Sequence, residues 1–254
     1  MSRPTIVPSS DDLLLAFDTS TPIGSVAVGR GTTVLARTEL TGQGAHSSDL
    51  VPGIRDTLEK AGAGLKELAG LVVGAGPGSF TGLRVAAATA KGLVQALRLP
   101  LWPVSSLEAG AAAIGVSRTP RSSRSGVGLS DAERMWPRYV LFDARGDRVY
   151  GACYVPTEQG LEELVAPHST TIGEILSGSV PFSIFGGDGA DRHADEIRGA
   201  GFSVLPPPLG MPTAEGLLRV VGAGAGRAPV EDVARWEPEY LRPSSAERLS
   251  GSSP

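Results

Sequence analysis

The residues most able to do chemistry lie in a glycine-rich stretch at 74–84, GAGPGSFTGLR, between an apolar run and a long alanine-rich segment. A strand that enters a glycine-rich turn and then a helix exposes backbone N–H groups that can bind an anion such as phosphate. The spacing is not that of a P-loop, because Leu83 and Arg84 follow Gly82 where Lys and Ser or Thr are required. It is not a dinucleotide-binding turn either, because Ser79 stands in place of the third glycine. A tight turn without a ligand is the alternative.

Two aspartates end apolar runs in the same way in the two halves of the chain. Asp18 is followed by Thr19, Ser20 and a second strand, and the pattern recurs 125 residues later at Asp143. An internal repeat of this size predicts a duplicated lobe. Aspartates in turns also commonly bond their own backbone, so both carboxylates can be structural. For Asp143, the candidate ion-pair partners are Arg145 and Arg148.

Composition excludes several classes of protein. A net charge of −4 argues against a free-standing nucleic-acid binder, whose surface should be basic. The single Cys153 can form no internal disulfide, which suits a reducing compartment. No stretch approaches the roughly 20 apolar residues of a membrane helix, and no signal peptide is recognisable, so we expect a cytoplasmic protein.

The elements that position these residues alternate between strands and helices. We predict three strands over 13–38, a helix over 45–60 and a second helix over 83–99. Ser105 or Ser106 is expected to cap a third helix, with Glu108 completing a capping box. The predicted organisation is a leader (1–12), an N-terminal lobe (13–115), a Ser/Arg-rich linker or loop (116–137), a C-terminal lobe (138–247) whose last helix can return to the first lobe, and a tail (248–254). The basic half of the linker could contact RNA or simply be a solvated loop.

Three segments carry a resemblance to a known family. Gly-Pro-Gly-Ser-Phe-Thr-Gly-Leu-Arg at 76–84 closely resembles the signature of the TsaB (YeaZ) family, and the segments at 104–109 and 240–242 are similar to further parts of it. The paired hairpins that end in aspartate resemble those of the actin and sugar-kinase superfamily. The resemblance implies an α/β fold of two duplicated actin/sugar-kinase-like (ribonuclease H-like) lobes, each a mixed β-sheet flanked by helices.

The family resemblance also implies a function. It implies a non-catalytic scaffold that dimerises with a catalytic TsaD subunit and helps recruit the TsaE ATPase. That complex forms N6-threonylcarbamoyladenosine at position 37 of tRNAs that read codons starting with A, so tRNA would be reached only through the complex. The protein would form a homodimer when alone. The alternatives are a small-molecule kinase or ATPase of the same superfamily and a metal-dependent glycoprotease.

The expected site residues follow from the same resemblance. In TsaD, the first helix carries two histidines four residues apart that hold a metal, but here Leu50 follows His46 at that spacing, so neither a metal nor a catalytic residue is expected. No cofactor is expected beyond weak binding of ATP or ADP. The residues expected to contact the partner are His46, Leu50, Val51, Ile54, Phe80, Leu83, Arg84, Ala87, Ala88 and Val94. Those of a vestigial nucleotide site are Asp18, Thr19, Ser20, Asp143, Gly187, Asp188 and Gly189.

Overall fold

The computed structural model describes residues 8–40, 46–114, 129–130, 132–223 and 227–241, with only the backbone of residues 46 and 47. Most of the predicted leader and linker, and the whole predicted tail, therefore lie outside the described residues. None of the helices in the described part of the chain is long and apolar enough to cross a membrane.

The first sheet has the strand order β3-β2-β1-β4-β5. Its strands are β1 (Leu13–Asp18), β2 (Gly24–Arg30), β3 (Thr33–Leu40), β4 (Gly70–Gly74) and β5 (Leu101–Val104). The first three strands form an antiparallel meander, and β4 and β5 add in parallel on the other side of β1. Helices α1 (His46–Lys60) and α2 (Phe80–Leu97) connect β3 to β4 and β4 to β5.

The second sheet repeats this topology. Its strands are β6 (Arg138–Asp143), β7 (Arg148–Thr157), β8 (Gly160–Thr171), β9 (Ile184–Gly186) and β10 (Ser203–Val204), in the order β8-β7-β6-β9-β10. Again an antiparallel meander is extended by two parallel strands. Helices α4 (Ile172–Ser177), α5 (Asp188–Arg192) and α6 (Ala194–Gly199) connect its later strands. The predicted fold class, two duplicated lobes with mixed sheets, is confirmed.

Each sheet is covered by helices on both faces, since apolar side chains of every central strand point both ways. One face of the first sheet packs on α1 and α2, and one face of the second packs on α4, α5 and α6. The remaining faces are joined by α3 (Ser106–Ala113) and α7 (Ala214–Gly222). Helix α7 packs on the first sheet and α3 on the second, although α3 belongs to the N-terminal half of the chain.

The two joining helices touch each other closely. A Cβ added at Gly216 would lie 2.2 Å from the carbonyl oxygen of Ala109 on α3. Residues 227–241 continue from α7 along the first lobe, where the Val230 N–H donates to the Leu101 carbonyl and Trp236 packs on the core. Helix α7 and residues 227–241 thus pack on the first lobe, so the two lobes do not divide the chain as simply as the repeat suggests.

Two local predictions need correction. Helix α2 begins at Phe80 rather than Leu83, because the Ser79 hydroxyl accepts from the Gly82 N–H and caps the helix there. The expected capping box at α3 is wrong, because Ser105 makes no capping hydrogen bond through its side chain. The Glu108 carboxylate instead accepts two hydrogen bonds, at 2.8 and 2.9 Å, from Arg227. This ion pair ties α3 to the C-terminal segment.

Candidate functional site

The glycine-rich loop (residues 74–82) packs directly against the first turn (residues 18–21). Three of its glycines leave no room for a side chain, because an added Cβ would meet atoms of the turn well inside van der Waals distance. The contacts would be Gly74 to Asp18 Oδ2 at 1.8 Å, Gly78 to Ser20 O at 2.3 Å and Gly82 to Thr19 O at 1.8 Å. These glycines are therefore needed for the glycine-rich loop to pack closely on the first turn.

Asp18 is the centre of this contact. Its side chain is only 1% exposed, and Oδ1 accepts from the Ser20 N–H at 2.7 Å and from the Ser20 hydroxyl at 2.6 Å. Oδ2 accepts from the Ser106 hydroxyl at 2.7 Å, at the start of α3. The Thr19 hydroxyl donates to the Gly82 carbonyl at 2.7 Å. The first turn, the loop and α3 are thus fastened together through one buried carboxylate.

The second turn (residues 143–146) is more open. The Asp143 side chain is 36% exposed, and its Oδ1 accepts from the Arg145 N–H and from the Arg192 guanidinium, both at 2.8 Å. The predicted ion pairs of Asp143 with Arg145 or Arg148 are wrong, because Arg145 offers only its backbone and Arg148 donates to β8. The actual partner, Arg192, lies 49 residues away on α5.

A second glycine-containing segment follows β9 and packs on the second turn. A Cβ at Gly187, where φ is +97°, would lie 2.3 Å from the Leu141 carbonyl oxygen, and one at Gly189 would lie 2.8 Å from the carbonyl carbon of Phe142. The Asp143 N–H donates to Asp188 Oδ1 at 3.1 Å. Burial raises the pKa of Asp188, against the lowering effect of the backbone N–H groups of Asp143 and Gly189.

The predicted nucleotide residues therefore form two clusters, one in each lobe. Asp18, Thr19 and Ser20 meet the glycine-rich loop, while Asp143 meets the segment 187–189. Sequence reasoning missed Ser106 and Arg192 as the side chains that complete the clusters. The local sequence does not indicate either contact, because each residue is far along the chain from its carboxylate.

No metal site is found in the residues that the structure describes, since no group of three or more His, Cys, Asp or Glu could hold an ion. His46 begins α1, but its side chain lies outside the description. His168 contacts the Tyr139 hydroxyl and the Ala166 carbonyl, and His193 pairs with Glu196. These two histidines are therefore engaged in local contacts of the second lobe.

Half of the residues expected to contact a partner are buried in the chain's own core. Helical spacing places them on the side of α1 and α2 that packs on the first sheet. The five residues that are buried in this conformation, and whose contact with a partner stays a prediction, are Leu50, Ile54, Leu83, Ala87 and Val94. The apolar stripe that helical periodicity reveals is thus the internal face, and a docking face has to lie on the opposite side.

The opposite side carries the four remaining predicted residues that the structure describes. Val51 on α1 is 61% exposed, Phe80 at the start of α2 is 36% exposed, and Arg84 and Ala88 are exposed on α2. We call these four residues the helix face. It continues along α2 past Gly92, where an added Cβ would meet nothing within 4 Å. Small residues there leave the α2 backbone accessible to a partner.

One end of the helix face is built up by the C-terminal segment. The Glu239 N–H donates to the Ala75 carbonyl at 2.8 Å, which brings Tyr240 beside Phe80 with ring centroids 5.2 Å apart. The Arg84 guanidinium lies over the other ring, 4.0 Å from the Phe80 centroid. We call Phe80, Arg84 and Tyr240 the stacked triad. Tyr240 was not among the predicted docking residues, because it is 160 residues from Phe80 in sequence.

Comparison with known proteins gives a consistent result. A family model described as TsaD, tRNA N6-adenosine threonylcarbamoyltransferase, matches residues 39–212. The tRNA threonylcarbamoyladenosine biosynthesis protein TsaB of Escherichia coli is 29% identical over 236 residues, covering 90% of this chain and 94% of that protein. TsaB of Bacillus subtilis is 33% identical over 163 residues, covering 64% of each. The solved structure of YeaZ from Pseudomonas aeruginosa has a TM-score of 0.70 at 26% identity, covering 91% of this chain and 100% of that one.

Proposed function

The chain belongs to the TsaB (YeaZ) family, and from that premise we propose that it is a non-catalytic subunit in the modification of tRNA. Its role lies in tRNA threonylcarbamoyladenosine biosynthesis, the process named for its relatives. In our proposal, a TsaD-like protein supplies the active site that modifies adenosine 37, and this chain docks on it in the cytoplasm. A TsaE-like ATPase joins the pair, and tRNA is reached only through the complex.

The observation that carries this proposal is the internal use of the glycine-rich loop. A phosphate-binding loop needs backbone N–H groups that point at the ligand. Several of the loop's N–H groups already have acceptors within the chain: the N–H of Ala75 donates to Val104 O, that of Gly76 to Ser106 Oγ and that of Ser79 to Ser20 O. Binding a phosphate there would break these bonds, and the loss of buried hydrogen bonds is costly. The loop is better explained as the support that fixes the start of α2.

The helix face is the surface that we assign to the catalytic partner. It is exposed, it combines an apolar residue on α1 with small and aromatic residues on α2, and it is held in place by the packed loop. A stable interface of the expected kind buries on the order of 1,600–2,000 Å² in total. We propose that the same face pairs with a second copy of the chain when the partner is absent.

The two alternatives have less support. A small-molecule kinase or ATPase of this superfamily would use the first turn for phosphate, but Asp18 and its neighbours are buried under the loop. A metal-dependent glycoprotease needs converging metal ligands, and no such group exists among the described side chains. Weak nucleotide binding at the more open second turn is compatible with the proposed role.

The proposal is tested by reconstitution with the TsaD-like protein of the same organism. We expect the two proteins to elute together on gel filtration. With tRNA and an activated threonylcarbamoyl donor supplied, we expect threonylcarbamoyladenosine, measured by mass spectrometry of digested tRNA, only when the TsaD-like protein is present. Product formed by this chain alone would overturn the non-catalytic assignment. Tight ATP binding that is lost in Asp18→Ala would favour the kinase instead.

A further inference from the structure

The stacked triad is an exposed cation over one aromatic ring, which a second ring supports from the side. Phe80 and Tyr240 are 36% and 39% exposed, and Arg84 lies over the Phe80 ring on the solvent side of α2. A guanidinium over a ring face is held in position by the ring, and its planar edge keeps N–H donors for a second contact. The triad thus presents a positioned group of donors, which is more than a mobile surface charge offers.

The charges around the triad indicate what that group can bind. Helix α2 contains no acidic residue between Phe80 and Leu97, and within the described ranges no carboxylate lies within 4.0 Å of the Arg84 guanidinium. The other basic side chain of α2, Lys91, donates to the Ala234 carbonyl at 3.0 Å. Arg84 is therefore a cation to which the described chain offers no anion.

The surroundings favour a protein carboxylate over an RNA phosphate. Interfaces with nucleic acid are strongly positive over their whole area. On α2, Arg84 instead lies over Phe80 and one helical turn before Ala88, and the chain as a whole carries a net charge of −4. Arg and Tyr set in an apolar surface are typical of the residues that dominate protein–protein binding energy.

We propose that Arg84, held over the ring of Phe80, which packs in turn on Tyr240, is the anchor that binds an Asp or Glu side chain of the TsaD-like partner. This inference rests on the proposed function, since it names the chemistry of the partner at the same face. It assigns the C-terminal segment a part in docking: residues 239 and 240 place the second ring of the triad. A planar carboxylate can accept two parallel hydrogen bonds from a guanidinium, which fixes orientation as well as affinity.

The test measures the dissociation constant of the purified partner pair at low and high salt. We expect Arg84→Gln to weaken binding about 30-fold, in the range for truncating one member of a buried charge pair, and to reduce its salt dependence. Arg84→Lys should recover only part of the affinity, because lysine lacks the planar fork. The matched control is Arg98→Gln, which removes a charge at the other end of the same helix, about 21 Å away. It should change binding by less than about twofold.

The remaining outcomes distinguish failure of the proposed function from failure of the Arg84 anchor alone. If the wild-type proteins do not associate, the proposed function fails. If they associate and Arg84→Gln binds as well as Arg98→Gln, the docking role stands and the anchor is overturned. A partner carboxylate as the group bound by Arg84 is also overturned if Arg84→Gln binds the partner with unchanged affinity but the complex binds tRNA more weakly. The partner carboxylate is likewise overturned if Arg84→Gln weakens only the self-association of this chain. Circular dichroism of each variant checks that the fold is retained.

Discussion

The two turns that end β1 and β6 occupy equivalent places in the duplicated topology, yet they have diverged in burial. Asp18 in the first lobe is 1% exposed and is bonded by three donors of the chain's own. Asp143 in the second lobe is partly exposed and is paired with Arg192 at the surface. The same local pattern therefore provides a buried brace in one lobe and an open turn in the other.

The difference suggests how a fold of this kind can change its role. In the first lobe, hydroxyl side chains and a glycine-rich loop fill the space beside the aspartate, and the loop then fixes the start of α2. The second lobe keeps a looser turn, and its equivalent of α2 is the five-residue α5. The first lobe, in which side chains and the loop fill the space beside the aspartate, is thus also the lobe that carries the long helix α2.

The largest expected effect comes from removing each aspartate in turn. Asp18→Ala should lower the free energy of unfolding by about 3–4 kcal/mol, because the Ser20 N–H and the hydroxyls of Ser20 and Ser106 would lose their acceptor while buried. Asp143→Ala should cost about 1 kcal/mol or less, since its ion pair is half exposed. Urea unfolding of both variants measures the difference. Equal losses would mean that the two turns are not distinct in the way described.

The next effect concerns the close approach of the loop to the first turn. Gly82→Ala should lower the free energy of unfolding by about 2–3 kcal/mol, because the new methyl group meets the Thr19 carbonyl oxygen and the backbone must shift. Gly92→Ala on the same helix is the control. Its added Cβ has open space, so it should stabilise by about 0.5–1 kcal/mol through helix propensity. If both substitutions stabilise, the loop is not as tightly packed as the structure indicates.

Local patterns predicted the repeat because strands of apolar residues that end in Asp can be recognised without knowing the tertiary contacts. The same patterns did not distinguish buried from exposed residues among the predicted docking residues. Leu50 and Ile54 share a helical face with Leu58, and such an apolar stripe is most often the one that packs on the chain's own sheet. Only the fold shows that the opposite side, with Val51 and Ala88, is free of the core.

Contacts between distant residues lay beyond the reach of sequence reasoning. The carboxylate of Glu108 was expected in a local capping box, but it pairs with Arg227, which lies 119 residues further along the chain. Tyr240 reaches Phe80 in the same way, through a segment that crosses the first lobe. A local motif can predict that a side chain needs a partner, but the partner is chosen by the fold.

The comparison of lobes also predicts where a new charge interferes with association. Ala88→Glu should weaken binding of the TsaD-like partner by at least about 100-fold, roughly 2.7 kcal/mol, because the new carboxylate adds a charge to the docked face and lies one helical turn from Arg84, where it competes with the partner's carboxylate. Ala200→Glu adds the same charge at an exposed alanine of the second lobe and should have little effect. Gel filtration and isothermal titration calorimetry measure both. Equal binding by the two variants would move the docking surface away from α2.

The smallest expected effect tests whether the segment 187–189, which packs beside the second turn, carries an electrostatic cost. Burial raises the pKa of Asp188, so its carboxyl group binds protons more readily in the folded chain. Its contribution to stability is therefore full below the ordinary aspartate pKa and is lost as pH rises through the folded value. Asp188→Asn removes this titration. The unfolding free energy of the variant minus that of the wild type should become more positive, by about 1 kcal/mol or less, between about pH 3.5 and 7. A difference that is independent of pH for Asp188→Asn would show that the carboxylate is as well stabilised there as it is in water.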